Sequence, residues 1–343
     1  MDKVRLAIIG MGMIGKRHLR ALQEVSEVEL AGAVDPDPRT QEIAEAAGAS
    51  WHSSAEELLG STTPDGIIVS TPTELHLEPT LLALQSGCHV LVEKPIAATL
   101  EEAGQILEAA AQARREVLVG HHRRYYGLMT KAREVIQSGQ LGTLLAVHGQ
   151  WTTRKSDAYY DFPWRQQRSS GPVLINLIHE MDILRYVCGE VRSVCARIQG
   201  GFRGHPKEET AALVLEFVSG ALGTFLLSDA TPSPWTWEHG TGENAGFPRT
   251  GQNSYRFLGT EAALEFPNLM LWTAEGQPDW QHRMSAESLE VALEDAYVAQ
   301  IRHFAAVIRG QEVPRISGAD ATRTLAATLA VFESAEQQRP VGL

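Results

Sequence analysis

Gly10, Gly12 and Gly15, with Asp35 twenty positions beyond the last of them, are the residues of this chain best spaced for chemistry. Gly10 permits a tight turn, Gly12 leaves room for backbone to approach a pyrophosphate, and Gly15 lets the next helix pack closely. That helix would open at Met13 and Ile14, presenting free N–H groups and a partial positive charge to phosphates. Asp35, at the carboxyl end of an apolar run Glu29–Val34, is placed to accept from a ribose 2′-OH. A lone glycine triplet is a common turn. Strand, triplet, helix and acid in this order predict a dinucleotide site. Asp35 and its neighbour Asp37 would repel a 2′-phosphate, and Arg39 is the nearby cation, so the cofactor predicted is NAD rather than NADP.

Past the glycines, Glu93-Lys94-Pro95 directly follows the apolar run His89–Val92. Ligands of doubly wound sheets bind at the carboxyl ends of strands, so Glu93 and Lys94 are expected at the nucleotide crevice. A lysine beside a nicotinamide cation has its charged form disfavoured and can relay a hydroxyl proton. Val173–Cys188 is predicted helical, with Pro172 at its start and Gly189 at its end. Leu177, Met181, Leu184 and Cys188 form its core seam, and His179, on the other side with Asn176 and Asp182, is a candidate base. Glu180 beside it invites a metal reading, but neither HExxH nor paired histidine spacing exists, and no metal is expected. His121–Tyr126 ends the fifth strand; it is either a polar hinge or, through Arg123 and Tyr125, a source of donors for substrate. Trp164-Arg165 and Trp235–Glu238, including Trp237, have the composition of sugar-stacking loops and equally of packing clusters.

These residues need a scaffold. Strand and helix signals alternate through the first third: strands at Val4–Ile9, Glu29–Val34, Ile67–Val69, His89–Val92 and Val117–Val119, with helices near Met13–Val25, Thr40–Ala47, Leu75–Ser86 and Leu100–Arg115. This is the pattern of a doubly wound parallel sheet with right-handed crossovers. After Gly120 come a helix near Leu128–Ser138 and strands at Leu144–Thr152, Val191–Ile198, Ala211–Phe217, Ala221–Leu227 and Tyr255–Leu258. These look antiparallel and predict an α+β domain with a large open sheet, closed by helices near Ala296–Arg309 and Gly318–Gln337. Thr231–Gly251, dense in Pro, Gly and Trp, reads as a long ordered loop. The domains are expected at 1–122 and 123–343.

By Lys94 the motifs carry a family. The chain resembles the Gfo/Idh/MocA oxidoreductases in the glycine triplet, Thr71-Pro72-Thr73-Glu74-Leu75-His76, Glu93-Lys94-Pro95, Trp164-Arg165 and the helix bearing His179 and Asp182. The resemblance implies an N-terminal Rossmann domain and a C-terminal open-faced sheet used in homodimer or homotetramer contacts. It also implies NAD(P)-dependent oxidation or reduction of sugars and cyclitols. Lys94 then matches the family's catalytic lysine and His179 its catalytic histidine, with Thr71, Pro72, His76, Glu93 and Arg165 beside the cofactor. Substrate would meet Arg123, Tyr125, Trp164, Asn176, His179 and Trp237. Many members carry an aspartate four positions before that histidine. Here the position is Ile175, and Asn176 is the nearest polar group, the candidate third catalytic residue.

Composition is compatible with this reading. At 343 residues, two domains are the default. A net charge of −12 without basic blocks excludes nucleic acid and anionic membrane as expected partners, though not a dinucleotide held by main-chain N–H groups. Cys88, Cys188 and Cys195 show no CxxC spacing and predict buried thiols in a reducing compartment, hence a cytoplasmic location. The expected activity is NAD-dependent transfer of hydride from a secondary hydroxyl of a sugar, cyclitol or related polyol. The rival readings are an NAD-dependent glycoside hydrolase and an inactive nucleotide sensor.

Overall fold

A computed structural model describes residues 2–343. In chain order the first elements are β1 (Val4–Ile9), α1 (Met13–Gln23), β2 (Val28–Val34), α2 (Gln41–Ala46), β3 (Trp51–His52), α3 (Ala55–Ser61), β4 (Gly66–Val69), α4 (Leu77–Gln85), β5 (His89–Val92), α5 (Leu100–Ala113) and β6 (Val117–Val119). The strands form one six-stranded parallel sheet in the order β3-β2-β1-β4-β5-β6. β4 and β6 are buried at every residue, which is why they read as continuous apolar runs without alternation. The order reverses between β1 and β4, so a crevice opens at the carboxyl ends of these two strands. The sequence reading passed over α3, whose start carries its own signal: Ser54 Oγ accepts the Glu57 N–H at 3.3 Å, and Glu57 accepts the Ser53 N–H at 3.0 Å.

The second group is α6 (Gly127–Gln137), β7 (Leu144–Arg154), α7 (Ile178–Cys188), β8 (Val191–Gly200), β9 (Glu208–Phe217), β10 (Leu222–Ser228), β11 (Ala230–Trp235), α8 (Trp237–Thr241), β12 (Tyr255–Gly259), β13 (Ala262–Phe266), β14 (Met270–Ala274) and β15 (Met284–Ser288). With a short β16 (Val341–Gly342) they give a sheet in the order β15-β14-β13-β12-β7-β10-β9-β8-β16, with β11 also paired to β7. This sheet is mixed: β7 and β10 run parallel, the other pairs antiparallel. Along β7, Val147, Gly149 and Trp151 are buried, whereas Ala146, His148 and Gln150 are half-buried on the opposite face.

Two expectations change here. Thr231–Gly251 is not a plain loop: most of β11 and all of α8 lie in it, with the Thr236 side chain capping α8 by accepting the His239 N–H. The division of the chain is also different. One compact unit comprises residues up to Tyr126 together with Glu294–Leu325, and the other Gly127–Leu293 with Ala326–Leu343. The chain thus returns to the first unit with α9 (Ala296–Ile308) and the start of α10 (Gly318–Gln337), which the sequence reading gave entirely to the second. The reason is apolar: Ile301, Phe304 and Val307 of α9 pack into one core with Leu6, Ile8 and Ile68.

Candidate functional site

In the first unit the glycine loop is built as the spacing predicts. Gly10 has φ +94°, and a Cβ there would lie 2.8 Å from Ser70 backbone. At Gly15 a Cβ would stand 1.9 Å from Gly10 O, so α1 can start this close to β1 only with glycine. Gly12 is different. Its Cβ direction is open for 4 Å, and it caps α1 without any side-chain bond to the first turn. Met13 beside it is 82% exposed and Ile14 half-buried. Open space over uncapped N–H groups at a strand-to-helix turn fits a pyrophosphate.

Asp35 holds this loop together: its Oδ2 accepts the Met11 N–H at 2.7 Å and its Oδ1 the Asp37 N–H at 2.9 Å. Each oxygen keeps further lone pairs for a ribose hydroxyl. Arg39 is not poised for a 2′-phosphate. Its guanidinium pairs with Asp37 at 2.6 Å, and the hydrogen bonds from Arg39 hold the Asp37 carboxyl down to about 2. Ser70 Oγ donates to Gly10 O at 2.8 Å, tying the end of β4 to the same loop, next to Thr71 and the exposed Pro72.

Glu93 and His76 prove to be struts. Glu93 is buried; its Oε1 meets His18 Nε2 at 2.8 Å and its Oε2 accepts the Lys94 main-chain N–H at 3.1 Å. Burial pushes this carboxyl up, but the bond to His18 and the attraction of His18, Lys94 and His122 outweigh it and hold the group at about 2. Gly120 is required opposite, since a Cβ there would lie 2.7 Å from the carboxylate. His76 is 1% exposed, with Nδ1 2.9 Å from Pro95 O and Nε2 3.0 Å from Thr71 O. Both residues, predicted to touch cofactor, fix the backbone on either side of the half-buried Lys94. His18 was missed by sequence reasoning, although it sits one turn into the helix that the glycines start. Arg123 and Tyr125 are buried as well. Tyr125 packs on His303 with Arg315 4.6 Å over its ring, and neighbouring Arg124 pairs with Asp320 at 2.5 Å. This segment anchors α9 and α10.

In the second unit the predicted helix starts as a wide π turn, Val173–Leu177, before α7. Such turns recur at functional positions because they displace one residue from helical register. Asn176 lies on the π turn and His179 in the first turn of α7, both half-buried. The helix is docked by two buried carboxylates, Glu208 of β9 and its own Glu180. Glu208 accepts the Val173 N–H at 2.9 Å, with its carboxyl pushed up by burial, and Glu180 accepts from Tyr255 Oη. Lys155, at the end of β7, donates to Asn176 Oδ1 at 2.8 Å. Neither Lys155 nor Glu208 was singled out in the sequence. Trp164 is 56% exposed, and Arg165 lies over the Tyr159, Phe162 and Trp164 rings at 4.3, 4.8 and 5.1 Å. Trp237 is a correction: it is 1% exposed, stacked on Phe266, and offers no open face for a sugar.

Comparison with known proteins agrees with this arrangement. A family model described as an oxidoreductase family with NAD-binding Rossmann fold matches residues 4–121, and its C-terminal alpha/beta domain matches residues 133–343. The chain is 28% identical to scyllo-inositol 2-dehydrogenase (NAD(+)) of Bacillus subtilis, over 99% of this chain and 96% of that protein. It is 30% identical to 1,5-anhydro-D-fructose reductase of Ensifer adhaerens, over 82% and 80% of the two chains. An oxidoreductase from Agrobacterium radiobacter, solved with NAD+, L-tartaric acid and magnesium, shares the fold at a TM-score of 0.85 and 20% identity, over 99% and 98% of the chains. The WlbA dehydrogenase from Bordetella pertussis, solved with NADH and UDP-GlcNAcA, shares it at 0.80 and 23%, over 100% and 99%. With both halves matched and the glycine loop built to receive NAD, the chain belongs to the Gfo/Idh/MocA family of NAD-dependent oxidoreductases.

Proposed function

We propose that this oxidoreductase moves hydride between a secondary hydroxyl of a sugar, cyclitol or related polyol and NAD, with Lys94 and His179 handling the hydroxyl proton. NAD, when bound, supplies the hydride acceptor. The observation that carries the reading is the fixing of Lys94: its main-chain N–H held by Glu93, the carbonyl of the following Pro95 held by His76, and the whole set at the end of β5, the strand next to β4 where the sheet's order reverses. A lysine held there can take or return a hydroxyl proton as hydride leaves the carbon. His179 is proposed as its partner base, and Asn176 as a substrate-orienting residue. The names of the relatives support a polyol class of substrate.

The test is NADH absorbance across sugars, sugar acids and inositols with purified protein. Lys94→Ala should reduce turnover by about 10³-fold while NAD still binds; a near-normal rate would remove Lys94 from the mechanism. Net NADH formation separates this activity from a hydrolase that recycles its cofactor.

We also propose that the chain works as a homodimer or homotetramer through the outward face of its large sheet. Cross-strand rows there place Leu258, Ala146 and Leu222 side by side, then Gln150, Leu226 and Ala212. Leu222 and Leu226 are 55% and 41% exposed on either side of a polar row of Arg256, His148 and Thr224, a mixed face of the kind that oligomers cover.

A further inference from the structure

We propose that Lys155 and Asn176 form a carboxylate-binding pair, and that the substrate is an acidic polyol such as an aldonic or uronic acid. The reaction of such a substrate rests on the activity proposed above; its binding does not.

Lys155 Nζ donates to Asn176 Oδ1 at 2.8 Å. An ammonium has no acceptor, so this contact dictates the amide's orientation: Oδ1 faces Lys155 and both Nδ2 hydrogens point elsewhere. The pair therefore turns both amide donors away from the ammonium and leaves Oδ1 only one lone pair, beside that positive charge. An aspartate on this turn would accept from a substrate hydroxyl. Asn176 held this way donates instead, and its best match is an oxygen with lone pairs only, a carboxylate. Asn176 is on the same continuous helical stretch as His179, three residues before it.

Charge leads to the same ligand. The Lys155 side chain is only 12% exposed, with Nζ 5.7 Å from the Trp151 ring and 5.0 Å from the Tyr159 ring. Its nearest carboxylate, Asp229, is 3.7 Å away and already shared. Lys207 pairs with Asp229 at 2.8 Å, the Tyr160 hydroxyl donates to it at 2.7 Å, and Arg203 reaches it at 3.3 Å. Glu238 attracts Lys155 from farther off while accepting from Trp151 Nε1 at 2.9 Å, and the Lys207 ammonium opposes it. Burial outweighs these attractions and pulls the amine down to about 8. A buried ammonium with so small a share of its counter-charge is stabilised by an arriving anion.

The experiment is calorimetric titration of the NAD-loaded protein with gluconate, glucuronate and galactarate, against glucose and myo-inositol, alongside NADH formation. Wild type should bind at least one acid about 30-fold more tightly than the neutral ligands. Lys155→Met should collapse that ratio toward one and Lys155→Arg should restore part of it, with circular dichroism and NAD affinity reporting the fold. Should Lys155→Met not fold, Asn176→Asp, which replaces the donors by a negative charge, should weaken acid binding by about 30-fold. No acid preference in wild type, or a preference that survives Lys155→Met, overturns the pair. Acid binding that depends on Lys155 without NADH formation upholds the pair and overturns the proposed reaction. NADH from neutral polyols alone does the reverse.

Discussion

Asp35 carries two main-chain N–H bonds that shape the glycine loop, so its carboxylate serves both loop and ribose. Asp35→Ser should therefore narrow the preference for NAD over NADP by about tenfold and weaken NAD itself, read by titration with both cofactors; an unchanged NAD affinity would leave the loop-holding role unsupported. Glu93 makes a second prediction. Its folded value, about 2, lies below the ordinary carboxyl value of 4.5, so its stabilisation is present above that ordinary value and lost as pH falls toward 2. His18→Ala, which strands the buried carboxylate, should cost about 3 kcal/mol in urea unfolding at pH 7 and flatten the loss of stability between the two pH values. For Lys155, acid binding should fall as pH rises through about 8, because the amine that attracts it discharges there.

Among the elements, the strand-to-helix turn and the helix with the π start decide what the residues can do. Gly15→Ala has nowhere to place its methyl, because the obstructing atom is the Gly10 carbonyl oxygen rather than a flexible side chain. The variant should lose about 2 kcal/mol of stability and most NAD affinity, measured by thermal unfolding with and without NAD. Glu208 matters for the second helix, whose first N–H it accepts, and Gly171 makes room for it, since a Cβ there would lie 2.1 Å from the carboxylate. Lys207, Glu208 and Glu209 look in the sequence like a solvated charge run, yet each is buried and bonded to a different partner: Asp229, Val173 and Arg203. A charge run and a docking strip have the same composition; only the strand's seating distinguishes them.

At the scale of the molecule, the large sheet's outward face sets the expected assembly. The 37.5 kDa chain should sediment at two or four times its mass, and Leu222→Glu with Leu226→Glu should shift it toward one. A wild-type monomer would contradict the assembly. Among the described residues no helix is long and apolar enough to cross a membrane. The return of α9 and the start of α10 to the first unit explains the buried Arg124–Asp320 pair and the packing of Tyr125, which secure that return.

The parallel sheet, the glycine turn, Asp35 and the position of Lys94 were legible in the chain, because each follows from local rules: apolar runs for buried strands, glycine where backbones touch, and chemistry at strand ends. The large sheet was legible only in part, since the short strands β13, β14 and β15, five residues each, were passed over. What tertiary structure alone decided is which polar groups face inward. His76 and Glu93 became struts, Trp237 became core, and Lys155 met Asn176 across 21 positions of sequence. Local pattern reports how a segment folds upon itself. A hydrogen bond between distant segments depends on how the folded elements are brought together, and no spacing along the chain encodes it.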